Sequence, residues 1–228
     1  VDKVLTELKA FQDAKVAQVK FVDRTFNCSK KHAYTIWKYL VEHDNQITNF
    51  HFEISADLLD DEAFEIFKKM RPGLIQLEIG VQSINPDTIT AIGRKMDLEK
   101  LKERVRQVHQ LGNIHQHLDL IAGLPYEDYV SFRKSFDWVY DRQPDQLQLG
   151  FLKLLKGTTM RDKANEYGIV YREQSPYEVL FTNWLTYDEV LKLKEIEEMT
   201  ELFYNSNQFY WTLHYAMKKE SSPFDFFE

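Results

Sequence analysis

The chain has a single cysteine, Cys28, in 228 residues. One thiol can close no internal disulfide and cannot furnish a multi-cysteine metal site, so the chain is no disulfide-stapled secreted domain. A reducing cytoplasm is the expected location. Long apolar runs are missing too: nothing approaches the roughly 20 residues that span a bilayer, and the start carries no signal-peptide pattern. Nor is there a surplus of positive charge. Lys and Arg number 29 against 36 Asp and Glu, a net charge of −7, which argues against nucleic acid as a dominant partner. Internal repeats and low-complexity segments are absent as well. What is present is 43% hydrophobic and 14% aromatic residues, the composition of a globular chain able to bury one sizeable core with a small appendage.

The hydrophobic pattern alternates between two periods. Val4, Leu5, Leu8 and Phe11 follow a helical repeat over about 2–15, and the chain reads from Val1 as a piece of a longer protein. "VKFVD" (19–23) reads as a strand, and Ala33, Ile36, Trp37, Leu40 and Val41 mark a helix over about 29–43. "NFHFEIS" (49–55) is the next strand. Asp60 or Asp61 caps a short helix that Gly73 closes. Residues 74–82 form a strand, Pro86 opens a helical turn, and a helix with Leu98, Leu101, Val105 and Val108 stops near Gly112. "HQHLDLIAG" (115–123) is a strand, 129–140 a helix, and "DQLQLGFLKLL" (145–155) a strand. Strand, crossover helix, strand is the grammar of parallel sheets, which predicts an α/β barrel or doubly wound sheet.

Three of these strands carry a polar face. His51, Glu53 and Ser55 share one parity, as do Glu78, Gly80 and Gln82, and His115, His117, Asp119 and Gly123. The interior of a tightly closed barrel is filled by branched apolar residues. A polar interior therefore means a wider or incomplete barrel holding a polar ligand, or a polar network satisfied within the protein.

The motifs on these strands resemble those of radical S-adenosylmethionine (SAM) enzymes, in the coproporphyrinogen-dehydrogenase-like and methylthiotransferase-like branch. "LEIGVQSINPDTITAIGRK" (77–95) resembles the family's fourth strand, with its Gly-Val-Gln-Ser end, Asn-Pro turn and following Gly-Arg. "DLIAGLPYED" (119–128) resembles the fifth strand, "FVDRTFN" (21–27) a variant of the second, and "FHFEIS" (50–55) the third. They stand in family order over about residues 1–160. "VDRTFN" and "LQLGFLKLLKGTTM" look most like the group with a cobalamin-binding domain ahead of the radical domain.

The resemblance implies an α/β fold: a partial (βα)6 TIM-like barrel, here without its first strand and cluster loop. It implies an iron–sulfur enzyme in which three thiolates of a Cys-x-x-x-Cys-x-x-Cys loop hold a 4Fe–4S cluster. The reduced cluster cleaves SAM to drive radical chemistry on a substrate that the sequence does not reveal. This sequence has no such loop; the loop is expected upstream of Val1, with a degenerate copy of the domain as the alternative. Full-length activity would then need SAM, the cluster and an electron donor such as ferredoxin or flavodoxin, with cobalamin as a further cofactor of the finer group. Carried over motif by motif, the SAM-binding candidates are Asp23, Glu53, Gln82, Arg94, Asp119 and Gly123. Arg94 would pair the SAM carboxylate and Asp119 the ribose hydroxyls. Ala122 and Gly123 would let backbone approach the adenine, and Asp23 stands where the family commonly has Gly-Gly-Glu.

Two other readings remain open at this stage. His115, His117 and Asp119 resemble a metal-hydrolase ligand set. A non-catalytic module that binds a nucleotide-like ligand or a partner is the second. Past Gly157 the composition turns aromatic, and the division is expected at 1–164 for the barrel core and 165–228 for a helical extension. In that extension Tyr177, Leu180, Phe181 and Trp184 read as one helical stripe, and Val190, Leu193, Ile196 and Phe203 as another. Tyr204, Phe209, Tyr210 and Trp211 either pack in the core, the favoured expectation, or face a substrate.

Overall fold

The computed structural model describes residues 1–220 and 222–228. The elements alternate as the periods require: α1 (Asp2–Asp13), β1 (Gln18–Lys20), α2 (Lys30–Glu42), β2 (Asn49–Ile54), α3 (Asp61–Phe67), β3 (Ile75–Gln82), α4 (Pro86–Ala91), α5 (Leu98–Leu111), β4 (His115–Ala122), α6 (Tyr129–Tyr140) and β5 (Gln146–Phe151). Strand order in the main sheet is β1-β2-β3-β4-β5. After it come α7 (Thr159–Asp162), an antiparallel pair β6 (Val170–Tyr171) and β7 (Val179–Phe181), then α8 (Tyr187–Met199), α9 (Tyr210–Ala216) and α10 (Pro223–Phe227). Two compact units divide the chain, Val1–Gly80 with Asp97–His117, and Val81–Met96 with Leu118–Glu228.

In the first unit β1 pairs β2 and β2 pairs β3, both parallel, with Lys20 opposite His51, His51 opposite Gln76, and Glu53 opposite Glu78. Parallel neighbours need a long connection, which α2 and α3 supply. The apolar parity of these strands is buried. Phe50, Phe52, Ile75 and Leu77 are shut off from solvent together with Ile36, Trp37, Leu40 and Phe67 from the helices. Phe26 packs on Phe52 at 4.4 Å between ring centroids, and Trp37 meets Phe67 edge-on at 4.9 Å. Each such side chain contributes about 1.5–3 kcal/mol by burial. Two of the expected ends hold: Asp60 caps α3 by accepting from the Ala63 N–H, and Gly112 leaves α5 at φ 69°, while Asp97, not singled out in the sequence, caps α5 by accepting from the Lys100 N–H. Gly73 does not close α3, which ends at Phe67 with Lys68 following in a helical conformation. β1 is shorter than expected: pairing ends one residue past Lys20, where the Phe21 N–H reaches the His51 carbonyl, and Val22 and Asp23 stand exposed in a loop.

In the second unit α6 and α10 form an aromatic core. Phe132, Phe136 and Phe224 are buried, and Asp137 anchors the start of α10 by accepting from Ser222 Oγ and the Phe224 N–H, each at 2.8 Å. Asn205 closes backbone groups of β5: its Oδ1 accepts from the Leu147 N–H and its Nδ2 donates to the Leu147 carbonyl, both at 2.9 Å. That is the hydrogen bonding another strand would have supplied.

The C-terminal part is mainly helical from α8 onward; of the second stripe Val190, Leu193 and Ile196 are buried on α8, while Phe203, in the wider turn that follows it, is half-buried. The first stripe is not a helix. Val179–Phe181 is a strand, with Val179 buried and Phe181 exposed. Pro176 removes a donor, and the Val-Leu-Phe run suits a strand, so period two wins over the apparent period of 3.6. The favoured burial of Tyr210 and Trp211 also fails: they are 55% and 78% exposed. Tyr204 does pack, against Tyr140 at 5.1 Å, with its hydroxyl on the Pro144 carbonyl at 2.6 Å.

Candidate functional site

The polar strand faces divide into two kinds of site. In the first unit the face is satisfied from within. His51 reaches Glu78, with Nε2 2.7 Å from Oε2, and Lys20 Nζ donates to the same oxygen at 2.8 Å. Gln76 Nε2 lies 2.9 Å from His51 Nδ1. Nδ1 therefore accepts, and the ring proton sits on Nε2, facing the carboxylate. The hydrogen bond from His51 holds the Glu78 carboxyl well down, to about 2, against the cost of burial and with Lys20 helping. His117, 9% exposed, has its pKa lowered to about 4 by burial and by the neighbouring His115 and His51. Its ring centroid lies 4.8 Å from that of His115 and 5.5 Å from that of His51. Glu78 is thus structural. The metal-ligand reading is not favoured: among the described residues no group of three or more His, Cys, Asp or Glu side chains is arranged to hold a metal ion.

In the second unit the end of β3 is different. Gln82 stands at φ 67°, a left-handed conformation that is costly for a residue with a side chain. Its Oε1 is buried and has no hydrogen-bond partner among the described residues. An orphaned buried amide oxygen costs free energy unless a ligand or water satisfies it. Beyond it, Asn85 caps α4 by accepting from the Asp87 N–H, with Pro86 at the first helical position. α4 then ends in a Schellman turn: the Gly93 N–H reaches the Thr90 carbonyl and the Arg94 N–H the Ile89 carbonyl, with Gly93 at φ 70°. The Gly-Arg pair of the sequence is therefore a helix stop that sets where half-buried Arg94 leaves the backbone.

Asp119 is half-buried on β4. Gly123 follows that strand at φ 85°, and a Cβ there would lie 2.7 Å from Val179 Cγ1. Packing of the β6–β7 pair alone thus requires glycine at 123. Asp23 and Glu53 belong to the first unit, the former exposed in the loop after β1 and the latter half-buried on β2.

Sequence reasoning missed one buried acid. Glu127 is 1% exposed, and its Oε1 accepts from Ser131 Oγ at 3.1 Å and Ser135 Oγ at 3.0 Å. Burial pushes its carboxyl above the ordinary range, while the hydroxyls of Ser83, Ser135 and Ser131 pull it back. Ser131 and Ser135, four apart, share one face of α6, and Glu127 stands just before the helix's Asp128 cap.

A model of the radical SAM superfamily matches residues 1–139, more than half of the chain. The chain belongs to the radical SAM superfamily. Enzymes of this superfamily use SAM and a 4Fe–4S cluster, and the match favours neither the hydrolase nor the binding-module reading. A second model, for a protein of unknown function (DUF4080), matches residues 165–228. Among curated proteins the chain is similar to the oxygen-independent coproporphyrinogen-III oxidase-like protein HemZ of Bacillus subtilis. The two are 27% identical over 173 residues, 61% of this chain and 34% of HemZ. It is also similar to a probable threonylcarbamoyladenosine tRNA methylthiotransferase of Pyrococcus abyssi, 26% identical over 100 residues, 43% of this chain and 24% of that protein. The chain thus spans about a third or less of these relatives. Among solved structures it resembles the radical SAM methyltransferase TsrM of Kitasatospora setae, solved with tryptophan substrate and a SAM analogue. The TM-score is 0.63 at 17% identity, over 78% of this chain and 36% of TsrM. That likeness establishes the fold, the partial βα barrel of radical SAM proteins, for which five consecutive sheet strands are present here. No helix among the described residues is long and apolar enough to cross a membrane.

Proposed function

We propose that this chain supplies SAM-binding residues of a radical SAM enzyme and that the Gln82 amide is one of its contacts to SAM. The buried, unpaired Oε1 of Gln82 carries the reading: the fold holds a strained residue at a strand end and leaves its polar atom for a ligand. SAM offers an ammonium group and hydroxyls as donors to such an oxygen. In the same unit, Arg94 is assigned to the SAM carboxylate, Asp119 to the ribose hydroxyls and the Gly123 backbone to the adenine. For Asp23 and Glu53 the assignment rests on the motif likeness alone.

The cluster does not fit this chain's own residues, since Cys28 is one exposed thiol where three are needed. SAM, when bound to a reduced cluster, supplies the radical chemistry of the superfamily. This chain's part is to bind and orient SAM. The division at 164/165 is carried as a proposal, with 165–228 as an appended domain. So are a cytoplasmic setting and an electron donor of the ferredoxin or flavodoxin kind. TsrM has been solved with cobalamin bound, and no residue of this chain is assigned to that cofactor. The test is calorimetric titration of SAM into the anaerobically reconstituted full-length protein and its Gln82→Ala variant. Weakened binding in the folded variant supports the reading, and unchanged affinity refutes it.

A further inference from the structure

Glu127 heads a chain of hydrogen bonds. Its Oε1 accepts from both Ser131 Oγ and Ser135 Oγ, so the single hydroxyl proton of each serine is committed to it. The serine oxygens are then left to accept. Ser135 Oγ accepts from the Ile84 N–H at 3.1 Å, and Ser131 Oγ from Asn85 Nδ2 at 3.1 Å. Both acceptors serve one target, the turn that leaves β3. Other bonds tie the same turn down: Asn85 Nδ2 donates to the Tyr126 carbonyl at 2.8 Å, the Asn85 N–H to Ser83 Oγ at 2.9 Å, and the Ser83 N–H to the Val81 carbonyl at 2.9 Å. At the head of this turn stands Gln82 with its left-handed backbone. Such a conformation persists in a non-glycine residue only where its surroundings impose it.

We propose that Glu127 is a positioning residue: through Ser131 and Ser135 it fixes the Ile84–Asn85 turn and thereby holds Gln82 in the geometry that presents its amide to SAM. The inference rests on the reading of Gln82 given above. It assigns no contact between Glu127 and SAM. A purely structural Glu127 would stabilise the start of α6 without its effect on SAM passing through Gln82, and the two roles separate in a double-mutant cycle.

The experiment titrates SAM by calorimetry into the reconstituted full-length protein and its Gln82→Ala, Glu127→Ala, Glu127→Gln, Ser135→Ala and Gln82→Ala/Glu127→Ala variants, with a thermal midpoint recorded for each. Glu127→Ala is expected to weaken SAM binding about 5- to 30-fold and Ser135→Ala about 3- to 10-fold. Glu127→Gln keeps an oxygen that accepts from both hydroxyls and should stay within about threefold of the unaltered protein. The double variant should bind within about threefold of Gln82→Ala alone, because the effect of Glu127 passes through Gln82. Two results overturn the inference while leaving the reading of Gln82 intact: folded Glu127→Ala and Ser135→Ala proteins with undiminished affinity beside a weakened Gln82→Ala, or a double variant that loses the product of the single effects. Should Glu127→Ala fail to fold, Ser135→Ala alone and combined with Gln82→Ala decides by the same comparison. Unchanged affinity in Gln82→Ala instead refutes the reading of Gln82, and the inference falls with it.

Discussion

His51 reaches Glu78 diagonally across two parallel strands: His51 is paired in register with Gln76, yet its Nε2 lies 2.7 Å from Glu78 Oε2. The pair has a consequence for acid stability. Glu78 falls from its ordinary 4.5 to about 2 on folding, chiefly through His51. A carboxyl depressed in the folded state stabilises fully above its unfolded value, and that stability is lost as pH falls through the folded one. Denaturant melts between pH 5 and 2 should therefore show an acid-dependent loss on the order of 2–3 kcal/mol, much reduced in Glu78→Gln. A Glu78→Gln protein with the same pH slope would remove this pair as its source.

His117 acts in a higher window. Its pKa falls from 6.5 in the open chain to about 4 in the fold, first because it is buried. The unfolded chain gains a proton below 6.5 that the folded one refuses until about 4, so stability drops over that interval as pH falls. The loss should reach roughly 2–3 kcal/mol and should shrink in His117→Gln, measured by chemical denaturation at pH 7, 5.5 and 4.5. A slope between pH 6.5 and 4.5 that survives the substitution contradicts the assignment.

Gly123 tests the packing of the β6–β7 pair. Alanine there meets Val179 Cγ1 at 2.7 Å and must also adopt φ 85°. The expected cost of Gly123→Ala is about 2–4 kcal/mol. Adding Val179→Ala should recover part of it, the overlap but not the backbone strain. A pair of substitutions whose thermal shifts simply add would place Val179 elsewhere.

Asn205 gives a local readout. Its amide satisfies both backbone groups of Leu147, so Asn205→Ala should cost about 1–3 kcal/mol and speed amide exchange at Leu147 ahead of the rest of β5. Protection at Leu147 equal to that of the parent would show that Asn205 does not shield the strand.

Much of this architecture is legible in the sequence because local signals agree. The helix over Tyr129–Tyr140 is bounded by its Asp128 cap and a clear apolar period, and β3 alternates cleanly enough for its polar face to be read off before any fold is known. Where local signals conflict, the reading fails: Val179–Phe181 fits two periods, and only its pairing partners decide. Trp211 reads as core because it is large and aromatic, yet no single-residue property says which side of a short helix faces the protein. The same limit hid the Glu127 network. Its serines lie on a helix, where serine usually faces solvent, and their role appears only when Ile84 and Asn85 are brought to them. The internal pairing of Glu78 was equally invisible, since parity puts Glu78 and Gln82 on one face without telling which has a protein partner.

The central claim, that the second unit holds SAM through Gln82 and Asp119, is tested most directly by one calorimetric measurement. SAM is titrated into the anaerobically reconstituted full-length protein and into its Gln82→Ala and Asp119→Ala variants, with iron content recorded for each. The account predicts SAM affinity lowered about 5- to 150-fold in each variant, the loss of one hydrogen bond of about 1–3 kcal/mol, with iron content unchanged because no cluster ligand is touched. Undiminished SAM affinity in both folded variants would contradict it.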